Sequence, residues 1–159
     1  MMFVVQKMTS QHASDILNWV YDPPYDFYNL EFSDQALQEL LGHTYRVVTD
    51  EHDELVGFFC TGEPAQVPIG HDFGAYPEGY LDIGIGMKPE LTGKGNGFAF
   101  MSFILQDLQK QNPDIPFRLT VAAFNELAIK LYTKLGFRKV SEFSRAAMTF
   151  IMMSKESEE

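Results

Sequence analysis

Five consecutive residues, Gly93-Lys94-Gly95-Asn96-Gly97, stand between a stretch that reads as a strand and one that reads as an amphipathic helix. Glycines let successive backbone N–H groups turn toward one point with no side chain in the way. The start of a helix adds N–H donors without intrahelical partners and the positive end of the helix dipole. Together these suit a phosphate or a pyrophosphate. The competing reading is a tight strand-to-helix turn packed closely on a sheet. Two common phosphate loops do not fit. A Walker-type loop needs glycine where Lys88 stands and Ser or Thr where Gly95 stands. The dinucleotide fingerprint needs glycine where Phe98 stands.

The elements that must position this turn are legible in outline. Phe3-Val4-Val5, running into Gln6-Lys7-Met8, reads as a first strand. Thr9 or Ser10 caps a helix with Ala13, Ile16, Leu17 and Val20 at helical spacing. Pro23 and Pro24 end it inside an aromatic segment, Tyr21 to Tyr28, and Ser33 opens a second helix with Leu37, Leu40 and Leu41 on one face. Tyr45 to Thr49 and Leu55 to Cys60 form a hairpin around the polar turn Asp50 to Glu54. Gly62 to Gly79 is a long loop of the kind that often carries function. Tyr80 to Met87 is a strand interrupted by Gly84 and Gly86, which suggests a bulge or a close approach. After the glycine turn comes a long helix whose buried face reads Phe98, Met101, Ile104, Leu105 and Leu108. Phe117 to Val121 is a further strand. Asn125 caps a helix lined by Leu127, Leu131 and Leu135, and Gly136 stops it. Phe137 to Val140 and Met148 to Met153 close the chain as strands.

Composition bounds the partners. The 159 residues fit one domain, with 45% apolar and 21% charged residues. A net charge of −10 argues against nucleic acid, because phosphate binding needs clustered Lys and Arg. It favours a cationic substrate such as an amine, against the alternative of simple solubility. The single cysteine, Cys60, lies in an apolar run and reads as a small buried hydrophobe. Met1 to Lys7 lacks the apolar core of a secretion signal, and no apolar run approaches roughly 18 residues. The expectation is a cytoplasmic protein with no membrane contact. His12, His43, His52 and His71 have no metal-ligand spacing, so no metal is expected.

The segment Met87 to Gly97 resembles the acetyl-CoA motif of the GNAT superfamily of N-acetyltransferases, Gln/Arg-x-x-Gly-x-Gly/Ala. Asn125 to Phe137 is similar to the second motif of that family, Asn-x-x-Ala-x-x-x-Tyr-x-x-x-Gly-Phe. The two stand in the family's order, separated by one helix and one strand, and with the preceding strand cover about the second half of the chain. Thr92 departs from the pattern where Gln or Arg is usual, and Lys94 is placed to supply charge instead.

The resemblance implies a single α/β (α+β) domain over residues 1–154, with a short acidic tail over 155–159. Its central mixed, mostly antiparallel sheet would have splayed central strands and flanking helices. It implies acetyl-CoA as co-substrate. The backbone amides of Gly93, Lys94, Gly95 and Gly97, with Asn96 and Phe98, would hold the pyrophosphate. Ile85, Gly86 and Met87 would pair with the pantetheine arm, and Asn125 would hydrogen-bond the cofactor. Tyr132 would protonate the departing thiolate, a suitable task for a phenol. A backbone N–H near Met87 would stabilise the oxyanion. Asp82 is the candidate base, on a strand whose period lets it face either way. The family usually builds its acceptor site in the segment where Asp22 and Asp26 stand, with Trp19, Tyr25 and Phe27 offering faces for a cation; the alternative is a core-lining loop with solvated carboxylates. The expected acceptor is a small cationic amine, aminoglycoside- or polyamine-like. The alternatives are a protein N-terminus, a lysine side chain, or a non-catalytic acyl-CoA-binding module. Homodimers are common in the resembling family.

Overall fold

The computed structural model describes residues 1–42 and 44–157. Its contacts gather in two units. The first contains Met1–Cys60 and Ile85–Gly97. Here β1 (Val4–Lys7), β2 (Tyr45–Thr49) and β3 (Leu55–Thr61) form an antiparallel meander. The β2–β3 turn is organised by Asp50, whose Oδ1 accepts from the N–H groups of His52 and Glu54 at 2.8 and 3.0 Å. Helix α1 (Ser10–Leu17) is capped by Thr9, whose Oγ1 accepts from the His12 N–H at 3.1 Å, and it buries Ala13, Ile16 and Leu17. Helix α2 (Asp34–Leu40) is capped by Ser33 in the same way. Both caps satisfy N–H donors that a helix start leaves unpaired.

The second unit contains Thr61–Gly84 and the chain from Phe98 onward. Strand β4 (Leu81–Met87) is shared by both units. Its first residues pair in parallel with β5 (Phe117–Ala122), through Leu81 with Phe117 and Asp82 with Arg118. Antiparallel to β5 runs β7 (Met148–Lys155), and β6 (Arg138–Arg145) pairs with β7. Strand order is therefore β1-β2-β3-β4-β5-β7-β6, a mixed and mostly antiparallel sheet. Helices α3 (Gly97–Gln111) and α4 (Glu126–Lys134) complete the α+β arrangement.

Three local expectations are corrected. On α3 the buried face is Phe100, Met101, Ile104, Leu105 and Leu108, while Phe98 is 44% exposed. On α4, Leu127 is 63% exposed, and Leu131, Tyr132 and Leu135 are half-buried. Strand β6 is twice the expected length. Only Phe143 of its eight residues is buried, so it shows no alternation for a sequence reading to detect. A bulge between Lys139 and Ser141 shifts its register on β7.

The loop from Gly62 to Gly79 is fastened rather than open. Asp82 and Arg118 are both buried, and the guanidinium grips both carboxylate oxygens at 2.6 and 2.9 Å. Arg118 also donates to the Pro77 carbonyl at 2.7 Å and lies over the rings of Tyr76 and Tyr80. Gln66 donates to Asp82 at 2.8 Å. A carboxylate only accepts, so the Gln66 amide oxygen faces His71, and His71 Nε2 must carry the proton it shares with that oxygen at 2.7 Å. The Tyr76 hydroxyl accepts from the Val67 N–H at 2.8 Å and bonds the Thr120 hydroxyl at 2.8 Å. Val67, Ile69, Ala75 and Tyr76 pack with Phe143, Phe150 and Met152. Breaking a buried pair strands a charge, which typically costs about 3–5 kcal/mol. Asp82→Asn is therefore expected to lower unfolding free energy by about that amount in urea titrations.

Candidate functional site

The glycine turn is built from the end of β4 outward. The Lys88 N–H donates to the Val56 carbonyl at 2.8 Å, and Pro89–Leu91 then form one 3-10 turn. The Thr92 hydroxyl donates to the Pro89 carbonyl at 2.7 Å, so this side chain closes the turn behind it. Gly93 and Gly95 are left-handed, with φ of 70° and 81°, and Lys94 between them is not. Such alternation aims neighbouring N–H groups into one concavity. A Cβ placed on Gly93 or Gly95 would meet no atom within 4 Å. The glycines thus answer a backbone conformation, and the space where their side chains would stand is open. A turn pressed onto a sheet would crowd those positions. The Asn96 side chain donates to the Leu91 carbonyl at 3.1 Å and staples the turn, and Lys94 is exposed.

On β4, Gly86 has a neighbour that the sequence does not reveal. A Cβ there would lie 2.2 Å from Phe58 Cε1, so the Phe58 ring rests directly on the strand. Trp19 and Tyr45 flank that ring, with centroids 6.0 and 6.2 Å away. The Trp19 ring is therefore engaged with Phe58. Tyr21 donates its hydroxyl to the Met87 carbonyl at 2.7 Å. Burial, aided by the charge of Glu90, pushes the Tyr21 phenol up to about 12, so it stays a neutral donor at ordinary pH. Ile85, Gly86 and Met87 are half-buried.

The second motif has a plain physical content. The Asn125 Oδ1 accepts from the Ala128 N–H at 3.2 Å and caps α4. At the other end, the Phe137 N–H reaches the Tyr132 carbonyl at 3.0 Å and the Gly136 N–H reaches the Thr133 carbonyl at 3.1 Å. That is a Schellman closure, and Gly136 takes the left-handed conformation it needs, with φ of 102°. Lys155 Nζ donates to the Leu135 carbonyl at 2.7 Å. Phe137 is buried, and its ring meets the Tyr132 ring edge-on at 6.1 Å. The spacing from Tyr132 to Gly136-Phe137 is what fixes the tyrosine in place. Lys134 Nζ stands 5.1 Å from the centre of the exposed Phe98 ring.

The sequence-derived site residues fall into two groups. Trp19, Asp22, Tyr25, Asp26, Phe27, Ile85, Gly86, Met87 and the turn Gly93–Gly97 belong to the first unit. Asp82, Phe98, Asn125 and Tyr132 belong to the second. Asp82 is 4% exposed, with both oxygens engaged by Arg118 and Gln66, which leaves it closed to an incoming amine. Asp22 and Asp26 are exposed, and Tyr25–Tyr28 form a 3-10 turn after a cis Pro23–Pro24 bond. Val20, Phe27, Leu30 and Phe32 expose apolar surface in the same segment. His43 lies outside the described residues. Among the described residues no three His, Cys, Asp or Glu side chains gather as a metal set, and no helix is long and apolar enough to cross a membrane.

Sequence reasoning missed Tyr21 and Phe58. Tyr21 is one of several aromatics in its segment, and its partner is a backbone carbonyl 66 residues away. Putting a Cβ on a left-handed residue costs about 1–2 kcal/mol. Gly95→Ala is accordingly expected to lower stability by about that much in urea titrations, and Asn96→Ala by about 1 kcal/mol through loss of the staple.

The model of the acetyltransferase (GNAT) family matches residues 13–137. No curated protein gives a significant match. Among solved structures, a chimera of the Vibrio cholerae spermidine N-acetyltransferase SpeG with hSSAT superposes with a TM-score of 0.75 at 20% identity, covering 98% of this chain and 96% of that one. A GNAT-family acetyltransferase from Bacillus anthracis gives 0.73 at 14% identity, with coverage of 98% and 95%. A ribosomal-protein alanine N-acetyltransferase from Escherichia coli gives 0.67 at 18% identity, with coverage of 99% and 96%. These likenesses establish the shared fold, and the family match extends over most of the chain. With its glycine turn and its Asn125-to-Phe137 helix, the chain belongs to the acetyltransferase (GNAT) family.

Proposed function

We propose that the chain moves an acetyl group from acetyl-CoA to a primary amine by direct attack. The observation that carries this reading is the glycine turn, whose left-handed Gly93 and Gly95 have open space where a side chain would stand, in a chain of this family. In the proposal, Gly93 to Gly97 and Phe98 hold the pyrophosphate through backbone amides. Ile85 and Met87 offer backbone groups to the pantetheine arm, and Gly86 between them carries no side chain. Asn125 contributes a polar contact beyond its capping bond.

The amine nitrogen bonds to the acetyl carbon, the carbon–sulfur bond breaks, and the sulfur takes a proton. Tyr132 donates that proton and recovers one from solvent. The amine proton also leaves to solvent, because Asp82 is occupied by Arg118. In this reading Asp82 stiffens the site instead of acting as its base, which departs from the sequence-based assignment.

The acceptor in this proposal is a small cationic amine. The net charge of −10 and the exposed Asp22 and Asp26 beside Phe27 support it, as does the likeness to a spermidine N-acetyltransferase. The likeness to a ribosomal-protein alanine N-acetyltransferase supports a peptide N-terminus as the alternative.

Thiol release from acetyl-CoA across a panel of polyamines, aminoglycosides and peptides tests the reading. Tyr132→Phe should lower kcat about 100-fold or more, the usual scale for a lost general acid, and leave coenzyme A affinity within about three-fold. Stabilisation by ATP or NAD but not by coenzyme A would overturn the cofactor assignment. Coenzyme A binding with no thiol release from any amine would leave a binding module.

A further inference from the structure

The segment between α1 and α2 reaches β4 directly through Tyr21, and through Phe58 of β3 at Trp19. Trp19 lies against Phe58, and Phe58 rests on Gly86. Tyr21, two residues on, bonds the carbonyl of Met87. The direction of that carbonyl can be deduced. A trans peptide sets its C=O and N–H on opposite sides. The Lys88 N–H points to Val56 on β3, so the Met87 carbonyl points to the other edge of β4. Residues of one strand present N–H and C=O to alternate edges, so Ile85 shares that edge with Met87. It is the edge free of β3, along which the proposed pantetheine arm would pair. Tyr21 therefore brings the aromatic segment to the same edge of β4 that would carry the donor.

Tyr21 is also the point on which its own segment closes. Its N–H donates to Asn29 Oδ1 at 2.7 Å. Between them, the Tyr25 N–H bonds the Asp22 carbonyl at 2.8 Å and the Asn29 N–H bonds the Asp26 carbonyl at 3.0 Å. The loop from Tyr21 to Asn29, which carries Asp22, Asp26 and Phe27, thus closes on Tyr21. That residue is tied to the loop through its backbone and to β4 through its hydroxyl.

We infer that Tyr21 is a positioning residue that sets the acceptor-binding loop at a fixed place on the donor strand. The inference rests on the proposed function for the identity of donor and acceptor. Its hydroxyl holds its proton at ordinary pH, so the tie does not depend on conditions used for assays. The residue passes no proton to the reaction. It holds the acceptor-binding groups together on the donor strand, so its loss is felt chiefly in how well the amine is bound.

Tyr21→Phe keeps the ring and removes only the bond. Coenzyme A titration by calorimetry, hydrogen exchange and steady-state kinetics are compared between this variant and the native protein. The expected result is faster amide exchange across residues 20–32. The amine kcat/KM should fall about ten-fold or more, chiefly through KM, with an unchanged pH profile. Coenzyme A affinity should stay within about three-fold. Asn29→Ala, which opens the loop and spares the hydroxyl, should shift exchange and KM in the same direction. Unchanged exchange across residues 20–32 would overturn the inference. So would an amine KM that does not move, a loss of coenzyme A affinity matching the loss of kcat/KM, or a displaced pH profile. Failure of the native protein to bind coenzyme A would instead remove the proposed function, and the exchange comparison would still decide whether Tyr21 holds the loop.

Discussion

A carboxylate and a guanidinium removed from water must compensate each other almost completely, or the fold that buries them loses several kcal/mol. In this chain Asp82 and Arg118 meet that demand where β4 and β5 begin to pair. Their remaining valences are distributed over Gln66, Pro77 and the faces of Tyr76 and Tyr80. Each of those partners belongs to the stretch between β3 and β4. The ion pair therefore does more than join two strands. It obliges a loop rich in glycine and proline to take one path, because any other path would leave a buried charge short of a partner.

The chemistry-bearing parts are held by comparable local constraints. Backbone closures do most of the work. The glycine turn is stapled by Asn96 and backed by Thr92, so its curvature is set by side chains bonded to the carbonyls of Leu91 and Pro89 just before it. Helix α4 is closed at its start by Asn125 and at its end by the carbonyl of Tyr132 itself. A residue whose carbonyl terminates a helix has little freedom in its own backbone, and the buried Phe137 limits its ring as well. Precision of this kind comes from many bonds worth about 1 kcal/mol each.

How much of this was legible in the sequence depended on whether the cause was local. The turn and the caps at Thr9, Ser33 and Asn125 could be read because the residues that make them lie within a few positions of one another. So could the stop at Gly136. The partner of Asp82 could not, since a strand's period of two leaves open which face is buried, and Arg118 is 36 residues away. The role of Gly86 was half legible. A close approach was expected, but nothing near it in sequence names Phe58. Helical spacing places Phe98 and Leu127 on buried faces, yet both sit in the first turn of their helices and lie toward water. Hydrophobic residues on protein surfaces are common, so a fit to the helical period at a helix start does not by itself establish burial.

Strand β6 ends the strand order, and seven of its eight residues are exposed. An outermost strand offers a row of backbone groups on which another chain can grow. Here that row carries Arg138, Lys139, Glu142 and Arg145, with Lys139 and Glu142 paired, and it is kinked by the bulge before Ser141. A second molecule laid alongside would have to strip water from those charges and follow a bent template. The margin of the sheet thus discourages edge-to-edge stacking into fibres, a safeguard built from the residues that look least structural in the sequence.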